Sequence, residues 1–184
     1  MTKFTIHTAD TAPEASLPLF ENSMKSFGMV PNLHAVMASS PGLLEAYQRL
    51  TDLFMNSSLS AEEQTVVWQT INVEHKCHYC VPAHTMVANM MGVDTEISTA
   101  LRENKPLPKK LESLRNFTRK MLIQRGQVSE ADVNEFLEAG YRPQNILEVI
   151  LGLSHKVMSN YTNHVAGTPL DASFQPFEWS PAED

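Results

Sequence analysis

The reading of this chain turns on two neighbouring stretches, Leu59-Ser60-Ala61-Glu62-Glu63-Gln64-Thr65-Val66-Val67-Trp68 and Glu74-His75-Lys76-Cys77-His78-Tyr79-Cys80-Val81-Pro82-Ala83-His84. The first is a helix start. Ser60 and Glu63 stand three positions apart, the spacing at which a hydroxyl and a carboxylate each satisfy the other's free amide. The helix that follows carries Val66, Val67, Trp68 and Ile71 and runs towards Glu74. The second stretch holds both cysteines of the chain and three of its seven histidines. A further helix is expected to begin at or within Cys77-His78-Tyr79-Cys80 and to run to Met91, with Gly92 as its stop.

The same helical punctuation continues outward in both directions. Leu17, Leu19, Phe20, Met24 and Phe27 recur at helical spacing and Gly28 ends the run. Pro31 opens a short helix carrying Leu33, Val36 and Met37. Ser40-Pro41 reads as a capping side chain followed by a first-turn proline, and Leu43, Leu44, Tyr47, Leu50, Leu53 and Phe54 then trace an apolar face. Asp94 caps a short helix through Ile97 and Leu101. Residues 104–108 form a linker. An amphipathic helix over 109–125 ends at Gly126, Ser129 with Asp132 caps the next, and a last long helix runs from about Pro143 to Val165. Its apolar face is read through Ile146, Val149, Ile150, Leu153, Val157 and Tyr161. No strand-like alternation competes. The expectation is an all-α, single-domain helical bundle over residues 1–184, with eight or so helices, a CxxCxxxH core over about 40–92, an extended start over 1–12 and an irregular tail over about 168–184.

Composition bounds the function. The chain has 184 residues, 42% apolar and 19% charged, with a net charge of -7. That is a foldable composition with one sizeable core. The acidic balance argues against nucleic acid or an anionic membrane as partner, since phosphate binding needs a basic footprint. No segment reaches the ~20 apolar residues of a membrane-spanning helix, and no signal-like run follows Met1. A cytoplasmic location is expected. In a reducing compartment a lone CxxC is catalytic, redox-sensing or metal-binding rather than a staple.

The chemistry of Cys77 and Cys80 follows from their place. A thiolate is the reactive form, and a helix N-terminus favours it. One thiolate can attack a peroxide or a disulfide while the other closes an intramolecular disulfide. His84 lies four positions after Cys80, on the same helical face, where an imidazole can take or return the thiol proton. Glu74, one turn before Cys77, could orient an imidazole or relay a proton if the helix extends back. Tyr79 and His78 are candidates for substrate contacts. Zinc is the rival use, with Cys77, Cys80 and His84 plus His75 or His78 as ligands. Structural zinc usually draws its pairs from two separated segments, and no second pair exists here; no metal is expected. A c-type haem is excluded by Val81, where the motif needs histidine. Met86, Met90 and Met91 read as core or interface filler. His155 and His164 lie on the last helix, and either could face the site.

The run from Leu59 to Ala88 resembles the core of the alkylhydroperoxidase D-like and carboxymuconolactone decarboxylase superfamily, through its CxxCxxxH after an LSxxE-type helix start. Pro31-Asn32-Leu33-His34, Glu74-His75-Lys76-Cys77-His78-Tyr79-Cys80 and Asn160-Tyr161-Thr162-Asn163-His164 resemble its peroxidase-related subgroup. The resemblance implies an all-α fold, symmetric homo-oligomers (trimers or hexamers) and a CxxC that cycles between dithiol and disulfide while reducing hydroperoxides. It implies Cys80 as the attacking thiol, Cys77 as the resolving one and His84 as the proton-relay histidine. Family members carry a relay glutamate twelve residues before the first cysteine. Here Thr65 holds that position, and Glu74 is the substitute. Tyr79 stands where they carry a histidine.

The expected activity is therefore a thiol-dependent peroxidase or disulfide reductase in antioxidant defence. Its partners would be an organic hydroperoxide or hydrogen peroxide and an external thiol or dithiol reductant, with no cofactor. A decarboxylase-like lyase and a zinc-stabilised helical protein are the alternatives. Decarboxylase members work without the CxxC, and no arginine cluster for a dicarboxylate is evident, although Arg49, Arg102 or Arg142 could converge.

Overall fold

The helix that starts at Ser60 forms the axis of the structure, a computed structural model that describes residues 4–181. Among those residues there are nine α-helices and no strand: α1 (Leu17–Phe27), α2 (Asn32–Met37), α3 (Pro41–Met55), α4 (Ala61–Glu74), α5 (Cys80–Met90), α6 (Thr95–Arg102), α7 (Lys109–Ile123), α8 (Glu130–Glu138) and α9 (Pro143–Ala166). The expected capping boxes form at both Ser60 and Ser129. Ser40 differs from expectation. Its side chain makes no capping bond, and Pro41 alone marks the start of α3.

Every residue of α4 from Gln64 to Asn72 is buried, because α3, α5, α6, α7 and α9 all pack around it. A helix enclosed on all sides has no polar face to show. Its polar residues are instead used inward. Gln64 Nε2 donates to the carbonyls of Met55 and Leu59, and Gln69 Nε2 to that of Val81. The axis thus holds the backbone of its neighbours, α5 included.

The helix does not extend back from Cys80 to Glu74. α4 closes after Glu74 with two turn bonds, Lys76 N–H to Val73 O at 2.9 Å and Cys77 N–H to Asn72 O at 3.0 Å. Lys76 sits in the left-handed region at φ 51, a conformation that costs a side-chain-bearing residue roughly 1 kcal/mol. This turn redirects the chain so that Cys77 leads into α5 as a separate helix.

Two apolar clusters result. One lies among α4, α6, α7, α8 and α9. The other is built by α1, α2, α3 and the start of α5, and it contains Cys77, Tyr79 and Cys80 beside Phe20, Leu33, Leu44, Tyr47 and Phe174. The thiols thus belong to a core, not to a loop. The tail, irregular in backbone apart from a short 3-10 turn at Gln175–Phe177, is tied to the helices. The Asp171 carboxylate accepts from the Tyr79 hydroxyl and from Asn32 N–H, and Trp179 Nε1 donates to Arg102 O. The two outermost stretches, 1–3 and 182–184, lie outside the described residues.

The buried face of α9 follows its apolar residues only in part: Val149 is buried and Ile146 and Leu153 pack against the core. Val149, Gly152, Lys156, Ser159, Asn160 and Asn163 face inward, while Ile150 and Tyr161 are exposed. At Gly152 the approach of α3 and α4 explains the missing side chain. A Cβ there would meet Val67 Cγ1 at 2.7 Å and Phe54 Cε2 at 2.9 Å.

Candidate active site

Cys80 is the first residue of α5 and Cys77 lies in the turn before it. Both are free thiols, 0% and 1% exposed. The Cys80 N–H donates to Cys77 Sγ at 3.2 Å, which fixes the two sulfurs within one turn. From α9, Asn163 Nδ2 donates to Cys80 Sγ at 3.1 Å. A continuous amide network backs this pair. Asn160 Nδ2 donates to Asn72 Oδ1, Asn72 Nδ2 to Gln69 Oε1 and Cys80 O, and Gln69 Nε2 to Thr85 Oγ1. Three helices are thereby tied to the CxxC, and each buried amide finds at least one partner.

The electrostatics separate the two thiols. Burial opposes a Cys80 anion. The hydrogen bond from Cys77, the Lys156 ammonium and the amides of Asn163 and Asn160 outweigh it and bring Cys80 down to about 6. Cys77 moves the opposite way, held protonated by its hydrogen bond to Cys80 and by burial. The pair is thus poised as one thiolate beside one thiol, with Cys80 the anion.

His84 does not contact the sulfur as its partner of first resort. Its Nε2 lies 2.7 Å from Lys156 Nζ, and Trp68 stands edge-on to its ring at 4.8 Å. Burial first, and then the Lys156 charge, hold this imidazole neutral. An ammonium only donates, so Nε2 carries the lone pair and the ring proton sits on Nδ1.

A half-open cavity of about 970 Å³ reaches inward from α1 and α3 and ends on Tyr79, Ala83 and His84. Tyr47, Trp68, Phe27 and Phe174 give it an aromatic wall. Burial keeps its further histidines neutral: His34 is lowered to about 4, and His155 is lowered as well. Neither sulfur lies on the wall.

The remaining candidates fall as follows. Glu74 turns its carboxylate to Arg119 of α7, an ion pair directed away from the thiols; the turn at Lys76, rather than a continuous helix, separates it from Cys80. Thr65 is buried in α4, and Glu63 serves the Ser60 cap and pairs with Lys110. The Tyr79 hydroxyl is engaged by Asp171 and Leu33 N–H, so the ring alone lines the cavity. His78 is exposed and near Thr168 O. His75 bonds Asn160. Among the described residues no three His, Cys, Asp or Glu side chains converge on a metal position. Arg102 donates to the carbonyls of Phe177 and Glu178 and Arg142 starts α9. Of the three arginines considered for a dicarboxylate, only Arg49 lines the cavity.

Sequence reasoning missed Lys156, Asn160 and Asn163 as site residues. The available signal was phase. Lys156 lies four positions after Gly152 and seven before Asn163, on one helical stripe that carries no other charge until Glu148. A lysine on a buried stripe of small and amide residues marks a buried charge with a purpose.

Comparisons with known proteins agree on the architecture. No protein-family model and no curated protein matches the chain. Among solved structures, the alkylhydroperoxidase AhpD core of an uncharacterised peroxidase-related protein from Ralstonia eutropha JMP134 superposes with a TM-score of 0.84 at 18% identity, covering 94% of this chain and 93% of that one. An uncharacterised peroxidase-related protein from Silicibacter sp. TM1040 gives 0.80 at 22% identity, with coverages of 94% and 93%. A cysteine-to-alanine variant of the debrominase Bmp8, in complex with 2,3,4-tribromopyrrole, gives 0.79 at 15% identity, with coverages of 96% and 95%. The chain therefore has the all-α fold of the alkylhydroperoxidase D core, as peroxidase-related proteins display it.

Proposed function

We propose that this chain is a thiol-dependent peroxidase that reduces organic hydroperoxides or hydrogen peroxide through a Cys77–Cys80 dithiol–disulfide cycle. One observation carries the reading: two free thiols stand within one turn at the start of α5, with Asn163 Nδ2 donating to Cys80 Sγ at 3.1 Å. The Cys80 thiolate attacks the distal peroxide oxygen, the O–O bond breaks, and Cys80 becomes a sulfenic acid. Cys77 then attacks that sulfur, water leaves, and the disulfide forms. An external thiol or dithiol restores the pair. His84, at the end of the cavity, is the group placed to handle the proton. Glu74 has no part in this reading, because its carboxylate is engaged by Arg119.

The aromatic wall of the cavity suits an apolar or aromatic substrate. It also favours a second reading, thiol-driven dehalogenation of a small aromatic, the class of ligand bound by the Bmp8 variant. The same two thiols would supply the electrons. On either reading the protein works as an oxidoreductase in a reducing compartment such as the cytoplasm. It works as a homo-oligomer, trimer or hexamer, a reading that the outward apolar side chains Leu147, Ile150, Tyr161 and Val165 of α9 support. Light scattering on the purified chain tests that assembly.

The deciding experiment follows hydroperoxide consumption with a dithiol reductant. Cys80→Ser is expected to abolish turnover and Cys77→Ser to limit it to a single event. Multiple turnover in both variants would end the peroxidase reading. Halide release from a bromopyrrole with no peroxide consumption would favour the second.

A further inference from the structure

Lys156 of α9 is completely buried, and a buried ammonium is stable only when something compensates its charge. The titratable groups around it are Cys80 and His84 of α5, Cys77 in the turn before and His155 beside it on α9, on which Tyr47 of α3 stacks. No carboxylate is among them. Burial favours the neutral amine, and the Cys80 and Cys77 sulfurs are what oppose that. The histidines are neutral, and Tyr47 stays protonated because of burial and the nearby Cys80. The compensating anion is therefore the thiolate itself. The contact with His84 Nε2 at 2.7 Å gives Lys156 a second outlet, through a side chain that lines the cavity.

We propose that Lys156 is a positioning residue that stores the proton for the leaving group of the reaction, delivers it through His84, and is charged only while Cys80 is a thiolate. This rests on the thiol-peroxidase reading. The steps balance. Cys80 thiolate takes the distal oxygen of R–O–O–H, and an S–O bond replaces the O–O bond. The departing R–O⁻ takes the His84 Nδ1 proton while Lys156 passes one to Nε2, giving R–OH, neutral His84 and a neutral amine. Cys77 then displaces hydroxide from the Cys80 sulfenic acid, and the hydroxide leaves as water with the Cys77 proton. An external dithiol reduces the disulfide and returns two protons, one to Cys77 and one to His84 Nδ1, whose Nε2 proton goes back to Lys156 and restores the starting tautomer. The buried charge thus appears and disappears with the thiolate, so the core never holds an unpaired ammonium.

Three measurements test this. Lys156→Met removes the charge at similar volume. It is expected to raise the Cys80 thiolate titration, read by ultraviolet absorbance, by about one pH unit or more, and to lower kcat for a small organic hydroperoxide by about 100-fold. Lys156→Arg keeps a charge but cannot release a proton. It is expected to leave the titration low while kcat stays depressed, a split that a packing role would not produce. The wild-type chain needs no variant at all. Its reduction potential, followed just above the Cys80 titration, should depend on pH with two protons per electron pair. One proton per pair means the ammonium persists in the disulfide form and overturns the proposal. So does a Met variant with unchanged titration and rate. A Cys80→Ser control separates the causes: if it retains turnover the peroxidase reading has failed, and if it is inactive while Lys156→Met is normal, only the role of Lys156 has.

Discussion

Asn163 Nδ2 lies 3.1 Å from Cys80 Sγ and 4.0 Å from Cys77 Sγ, so one amide of α9 addresses both sulfurs. Its Oδ1 is buried without a partner, which leaves the amide oriented as a donor towards an anion. Asn163→Asp replaces that donor with a negative charge beside the thiolate. It is expected to raise the Cys80 thiol by about one unit or more and to slow hydroperoxide reduction at neutral pH by about ten-fold. Asn163→Ala should shift it less. A thiolate titration reads both variants, and an Asp variant still titrating at about 6 would show that Asn163 does not set the anion.

The pH dependence has a definite sign. In the folded chain Cys80 loses its proton at about 6, whereas an unfolded cysteine does so at about 8.5. Activity should rise as pH increases through about 6. The unfolded state binds the extra proton between the two values, so the stability gained from the thiolate is fully present above about 8.5 and is lost as pH falls to the folded value. Cys80→Ser should flatten that part of the stability curve. Urea midpoints at pH values across the window check this, and equal curves for both proteins would contradict it.

The Tyr79 hydroxyl donates to Asp171, which brings the tail over the first turn of α5. Both sulfurs are buried in the cluster that Phe174 of the tail joins, so hydrogen peroxide should react readily and a bulky aromatic disulfide reagent slowly. Asp171→Ala removes the latch, along with the acceptor for Asn32 N–H. It is expected to speed modification by the bulky reagent by about ten-fold or more, since local opening governs such access. Stopped-flow absorbance measures this. Equal rates for both proteins would show that access runs through the cavity side instead.

The helices, the caps at Ser60, Asp94 and Ser129 and the CxxC at a helix start were legible because each depends on residues within one turn of one another. Ser60 with Glu63 and Ser129 with Asp132 are closed local systems. Glu74 was misplaced because its expected role assumed a continuous helix. The turn at Lys76 occupies a left-handed conformation usually taken by glycine, and nothing in a lysine announces it. The face of α9 was legible only in part, with Val149, Ile146 and Leu153 on the core side as expected. Its apolar residues Ile150 and Tyr161 point outward, and its inward stripe is polar because it serves the thiols. Apolar periodicity finds cores, and here the stripe that matters is a site. The relation of Lys156 to His84 spans 72 positions, and no local pattern encodes it.

Gly152 gives a last test, of the frame rather than of the chemistry. Its place on the inward stripe of α9 lets α3 and α4 approach until a Cβ would stand 2.7 Å from Val67 Cγ1 and 2.9 Å from Phe54 Cε2. Neither neighbour is the loose end of a flexible chain. Helix propensity favours alanine over glycine by about 1 kcal/mol, but overpacking of this kind costs about 1–3 kcal/mol. Gly152→Ala should therefore lower stability despite its better propensity. Lys156 lies one turn along the same helix, so displacement of α9 should also lengthen its contact with His84 and slow peroxide reduction. Val67→Ala removes the nearest clashing atom. In a double-mutant cycle the pair should recover at least about 0.5 kcal/mol relative to the sum of the single changes. Urea denaturation of the four proteins measures it. Strict additivity would show that the helices separate freely and that close packing at Gly152 does not hold α9 against the thiols.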